Sequence, residues 1–197
     1  MTSYPIPYVT TRTPQGERTV DVYSRLLAER VVYLGTPIDD GVANAVIAQL
    51  IHLESESPDQ PINLYLNSSG GSIPATLAIY DAMQYIRPQV ETTCVGEAAA
   101  TAAVLLAGGA PGRRQMLPHA RVVIHAPAAR GNGAIPDLVL QADEVERVRT
   151  MLEEILASHT HRTPAQVRDD TQRELILTPQ AALEYGVIDS ILTARQA

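Results

Sequence analysis

Six residue positions carry the chemistry that this sequence can offer. Gly70-Gly71 follow a short apolar run and precede a helical one, a turn that allows tight backbone geometry and outward amide donors. Thr93-Cys94-Val95-Gly96-Glu97-Ala98-Ala99-Ala100-Thr101 reads as a strand that turns into a helix of small residues. Such an elbow presents one side chain, with backbone N–H groups beside it. His125 closes the apolar strand Arg121-Val122-Val123-Ile124, and Glu174 opens a later one. Taken alone, a strand-end histidine more often has a structural role and a lone glutamate is a solvated carboxylate; in a serine hydrolase the elbow residue would be the nucleophile. Here the elbow position falls on Ala100, and a methyl group cannot attack a carbonyl. Ser68, Ser69 and Ser72 are the nearby hydroxyls, but serines in turns usually bond their own backbone.

Other chemistries are poorly supported. The glycine pair lacks the third glycine of a dinucleotide fingerprint, and no Gly-Lys-Ser/Thr follows it. No metal site is expected. The single Cys94 cannot form an internal disulfide and lies in an apolar run, where a buried, inert thiol is expected. One cysteine and no signal-like N-terminus point to the cytoplasm. No apolar run reaches the ~20 residues that span a bilayer. A net charge of −7 with no basic block argues against nucleic acid as a partner. The basic residues are all arginine, which reads as composition bias.

The positioning elements follow from hydrophobic period and breakers. At 197 residues one domain is expected, large enough to fold without a disulfide or metal. Residues 1–17, with Pro5, Pro7 and Pro14, read as an extended segment, and 18–197 as a single α/β domain. Helices are expected over 21–29, 39–54, 74–86, 97–107, 137–158 and 179–185. Strands are expected over 30–35, 63–66, 90–95, 121–124, 174–177 and 187–192. Residues 108–112 and 165–173 read as turns, and 126–136 as loose chain. Strand and helix alternate through 30–107, the pattern of parallel β/α units. In the long helix Asp137 is the expected cap. Leu138, Val145, Val148, Leu152, Ile155 and Leu156 make an apolar stripe that suggests a subunit contact. Gly186 fits a helix C-cap.

Five motifs, in order, resemble the Clp protease proteolytic subunit family. They are residues 65–72 (YLNSSGGS), 78–84 (AIYDAMQ), 96–100 (GEAAA), 117–125 (LPHARVVIH) and 184–189 (EYGVID). The similarity runs from about Arg18 to Leu192. The resemblance implies a crotonase-like β/α superhelical fold with a long protruding handle helix, the handle region covering about 126–158. It implies two stacked seven-membered rings, homo- or hetero-oligomeric, with residues 1–17 as an axial segment. It also implies an AAA+ Clp unfoldase that uses ATP and feeds in unfolded polypeptide, this chain itself needing no cofactor.

By position, the family's triad falls on Ala100, His125 and Glu174, at intervals of 25 and 49 residues. Its oxyanion hole falls on the backbone N–H groups of Gly71 and Thr101. Asp170 is the alternative third triad member. The unfoldase-docking pocket retains Tyr65, Tyr85, Leu117 and Leu192, while Asn63 and Gln115 are polar where the family is often aromatic. Glu97, Ser69, Ala126 and the segment 128–130 also depart from the family pattern. Two readings stay open: a serine endopeptidase subunit disabled by Ser→Ala at position 100, or a natural pseudo-subunit that assembles with active homologues and regulates them. A crotonase-fold acyl-CoA enzyme is a weaker third, since that fold also holds an oxyanion with two amides.

Overall fold

The computed structural model describes residues 6–13, 16–127 and 133–194. Parts of the expected axial segment and of the 126–136 stretch, including 128–130, lie outside the described residues. Strands β1 (Tyr8–Thr13) and β2 (Gly16–Asp21) pair as an antiparallel hairpin. Asp21 then caps α1 (Val22–Ala28), its carboxylate accepting from the Ser24 N–H at 2.9 Å. Within the expected 1–17 segment, residues 8–13 and 16–17 are strand, and β2 runs on to Asp21.

The remaining strands form one seven-stranded, mostly parallel sheet. It contains β3 (Val31–Leu34), β4 (Ile62–Ser68), β5 (Val90–Ala99), β6 (Arg114–Met116), β7 (Arg121–Ile124), β8 (Leu175–Leu177) and β9 (Ser190–Ile191). The order β3-β4-β5-β6-β9 is parallel throughout, and β7–β8 is the antiparallel pair. The helices are α2 (Asp40–Glu56), α3 (Ile73–Tyr85), α4 (Thr101–Ala107), α5 (Ile135–His159), α6 (Pro164–Asp170) and α7 (Pro179–Tyr185). Val32, Leu64, Leu66 and Cys94 from the sheet pack with Leu50, Ile79 and Leu105 from α2, α3 and α4 in a continuous apolar core.

The central strand divides. Thr92–Cys94 of β5 pair with β6, while Glu97–Ala99 pair with β7. The expected helix over 97–107 therefore begins only at Thr101, and Gly96 lies within the strand. Alanine's helix propensity is overridden because residues 97–99 find a backbone partner in β7 and Glu97 ion-pairs with Arg121 at 2.7 Å. Gly96 is needed for another reason. A Cβ there would stand 2.5 Å from the Asn67 Oδ1, which also accepts the Glu97 N–H.

Four further expectations are corrected. The cap of α5 is Ala134, without a side-chain bond, and Asp137 sits in the first turn. The 165–173 turn contains α6, started by a Thr163–Gln166 capping box. Only Ser190–Ile191 of 187–192 pair as strand, because the Val187 N–H still serves the end of α7 at Ala182. The stripe of α5 splits: Leu152 and Leu156 join the core with Val148 and Ile155 packed against it, while Leu138 is exposed, as are its neighbours off the stripe Ile135, Val139 and Leu140. Gly186 takes the expected left-handed C-cap at φ 89°. Cys94 is buried, which pushes its thiol up to about 12 and keeps it protonated.

Candidate active site

The forked strand places the candidate residues. Ala99 is in register with Val123, and the Ala100 N–H donates to the Val123 carbonyl at 2.8 Å. His125 follows two residues later, just past the end of β7, so the elbow and the histidine face the same cleft. Ala100 itself has φ 50° and ψ −120°, a region that side chains rarely adopt. That conformation swings the chain from β5 into α4 and turns the Cβ toward the cleft.

The glycine pair is set by close approach. Gly71 forms a parallel bridge with Ile38, the Ser72 N–H donating to the Ile38 carbonyl at 2.8 Å. A Cβ on Gly71 would lie 2.1 Å from that carbonyl oxygen. Gly70 has φ +82°, and a Cβ there would meet the Ala99 oxygen at 2.6 Å and the Ala100 methyl at 2.9 Å. Both glycines are thus required by the backbone that packs the elbow against the turn.

Gly71, Ala100, Thr101 and His125 all line one cleft of about 170 Å³. Its apolar wall includes Ile73, Val104 and Leu152. Arg149 and Glu153 of α5 also line it, paired at 2.8 Å, and Glu153 is further paired with Arg168 at 2.8 Å. The β7–β8 register, with Ile124 opposite Leu175, carries Glu174 alongside His125 just past the paired strand ends, but neither carboxylate candidate lines the cleft. Glu174 is exposed just before β8, Asp170 is exposed at the end of α6, and Thr171 is the lining residue from that segment. The His125 Nδ1 lies 3.1 Å from the Ala126 carbonyl, and neither carboxylate is hydrogen-bonded or ion-paired to it.

The Gly71 N–H is already engaged. It donates to the Thr101 Oγ1 at 3.1 Å, and that oxygen also accepts from the buried Thr76 hydroxyl at 2.9 Å. Sequence reasoning treated Thr101 only as a backbone donor; the polar side chain beside the elbow was the available signal. Of the alternative hydroxyls, Ser68 donates to the Thr36 carbonyl at 2.7 Å, Ser72 caps α3, and Ser69 is exposed.

A second groove, of about 510 Å³, is lined by Tyr65, Leu117 and Leu192 with Thr93, Val95 and Ile191. Tyr85, 88 % exposed near the end of α3, is not among the residues that line it. No helix among the described residues is long and apolar enough to cross a membrane. No cluster of possible metal ligands occurs among them.

A mostly parallel β/α sheet with a strained elbow packed against a close-packed glycine pair defines a crotonase-like fold. The Clp protease family profile matches residues 14–195, and the chain belongs to that family. It is 64% identical over 196 residues to ATP-dependent Clp protease proteolytic subunit 1 of Nocardia farcinica, covering 99% of this chain and all of that one. It is 55% identical over 194 residues to proteolytic subunit 4 of Rhodococcus jostii, covering 98% of this chain and all of that one. To proteolytic subunit 2 of Streptomyces avermitilis it is 54% identical over 198 residues, covering all of this chain and 99% of the relative.

Proposed function

We propose that this chain is a proteolytic-type subunit of an ATP-dependent Clp protease that is itself catalytically silent. It assembles with active homologous subunits and tunes the particle they form in the cytoplasm. One observation carries the reading: the elbow keeps a nucleophile's strained backbone while its side chain is a methyl group. Loss of the serine alone costs about 10⁶ in kcat in subtilisin. The family match and the printed names of the relatives support the assembly partner, an AAA+ unfoldase delivering unfolded polypeptide. The Tyr65–Leu117–Leu192 groove is the surface we assign to unfoldase docking. The exposed apolar residues at the start of α5 are the surface we assign to ring-to-ring contact.

The test is native mass spectrometry of the chain alone and mixed with an active Clp proteolytic subunit, with a fluorophosphonate label added. The expected result is entry into mixed particles with no label on this chain. A label on this chain, or exclusion from every particle, overturns the proposal.

A further inference from the structure

We propose that Thr101 is a built-in plug of the oxyanion site, a second lock that is independent of Ala100. This rests on the reading of the cleft as a peptidase-type site. A carbonyl presented at the elbow would direct its oxygen at the nearest backbone N–H groups. One of these, the Gly71 N–H, belongs to an exposed residue of the cleft and has no strand partner of its own there. Its single proton is given to the Thr101 Oγ1 at 3.1 Å.

The plug is held from behind. Thr76, fully buried on α3, donates to the same oxygen at 2.9 Å while lying 2.9 Å from the Ser72 carbonyl. Thr101 is the first residue of α4 and is 7 % exposed, so its side chain is fixed between the glycine turn and α3. A peptide carbonyl can reach the Gly71 donor only after the Thr101 hydroxyl turns away. The plugged hole offers only the Thr101 N–H. Losing one of two oxyanion donors costs ~10²–10³ in kcat. A serine at position 100 would therefore still face half a hole.

The test is hydrogen–deuterium exchange at single-residue resolution on the full chain, read at the Gly71 amide. Thr101→Ser keeps the hydroxyl and is expected to match the unmodified protein. Thr101→Val removes the acceptor and keeps the branched shape. Its Thr76 hydroxyl can still bond Ser72, so the fold is retained. Gly71 exchange in Thr101→Val should rise by roughly two- to tenfold, the loss of one modest hydrogen bond. Thr101→Ala, which removes the acceptor without the branch, should show the same rise. Equal Gly71 rates in all four proteins would overturn the plug. Exchange is read whether or not the chain enters mixed particles, so a failure of assembly and a failure of the plug are separate results.

Discussion

Ala100 sustains a backbone conformation that is strained for a non-glycine residue, so relieving it should stabilise the protein. A non-glycine residue at φ 50°, ψ −120° costs ~1–3 kcal/mol. Ala100→Gly removes that cost. Against it stand the wider freedom of glycine in the unfolded chain, ~0.4–1 kcal/mol, and the loss of a half-buried methyl, ~0.4 kcal/mol. The balance is a gain of about 1 kcal/mol, or a rise in Tm of ~2–4 °C for a chain of this size. Ala100→Val tests the other direction. A branched side chain suits this region least, and the variant should lose about 2 kcal/mol. The assay is urea unfolding followed by circular dichroism at one fixed protein concentration, because assembly makes stability concentration-dependent. A fall in the midpoint for Ala100→Gly equal to the expected rise would refute the reasoning. It would mean that methyl packing, not backbone strain, governs the elbow.

Gly71→Ala places a Cβ 2.1 Å from the Ile38 carbonyl oxygen, a backbone atom that cannot step aside. The expected loss is about 3 kcal/mol, seen as a lower urea midpoint; an unchanged midpoint would show that the bridge gives way freely. Arg114 is buried, with two guanidinium nitrogens on Asp189 at 2.9 and 2.6 Å. Burial alone would raise the Asp189 carboxyl, but the Arg114 hydrogen bonds and charge outweigh it and hold it below its ordinary value. The stability this pair contributes is present above the unfolded carboxyl value of about 3.9 and is lost as pH falls through the lower folded value. Arg114→Met should cost about 3 kcal/mol at neutral pH and move the onset of acid unfolding to higher pH; the same acid profile in both proteins would count against it. Leu140→Asp changes a side chain that is 68 % exposed on α5. The fold should persist by circular dichroism while sedimentation shows smaller particles; an unchanged particle would remove α5 from the ring contact.

The sequence by itself determined the β/α alternation, α2, the glycine pair, the Gly186 cap and the positions of Ala100 and His125. These rest on local chemistry: hydrophobic period, capping side chains and glycine's access to positive φ. The family likewise followed from the motifs in order. What lay beyond it depended on partners distant in the chain. Residues 97–99 have the composition of a helix and became strand only because β7 offered them a ladder. Strand β6 is three residues long and carries no periodic signal, so it exists only through β5 and β9. The stripe of α5 looks uniform as a pattern, yet its two ends have different fates because only the C-terminal half reaches the core. In α2, two apolar residues two positions apart part ways: Ile51 is 54 % exposed, while Leu53 turns inward. The site divides in the same way. Sequence spacing aligned Glu174 with the third triad position, and the β7–β8 pairing brings it alongside His125; that the carboxylate is exposed there, and that Arg149 and Glu153 line the cleft, was decided by tertiary structure. The closing contact, Thr101 on Gly71, joins residues 30 positions apart through one hydroxyl. A sequence shows that a threonine is present; only the packing of α3, α4 and the glycine turn decides which amide its oxygen meets.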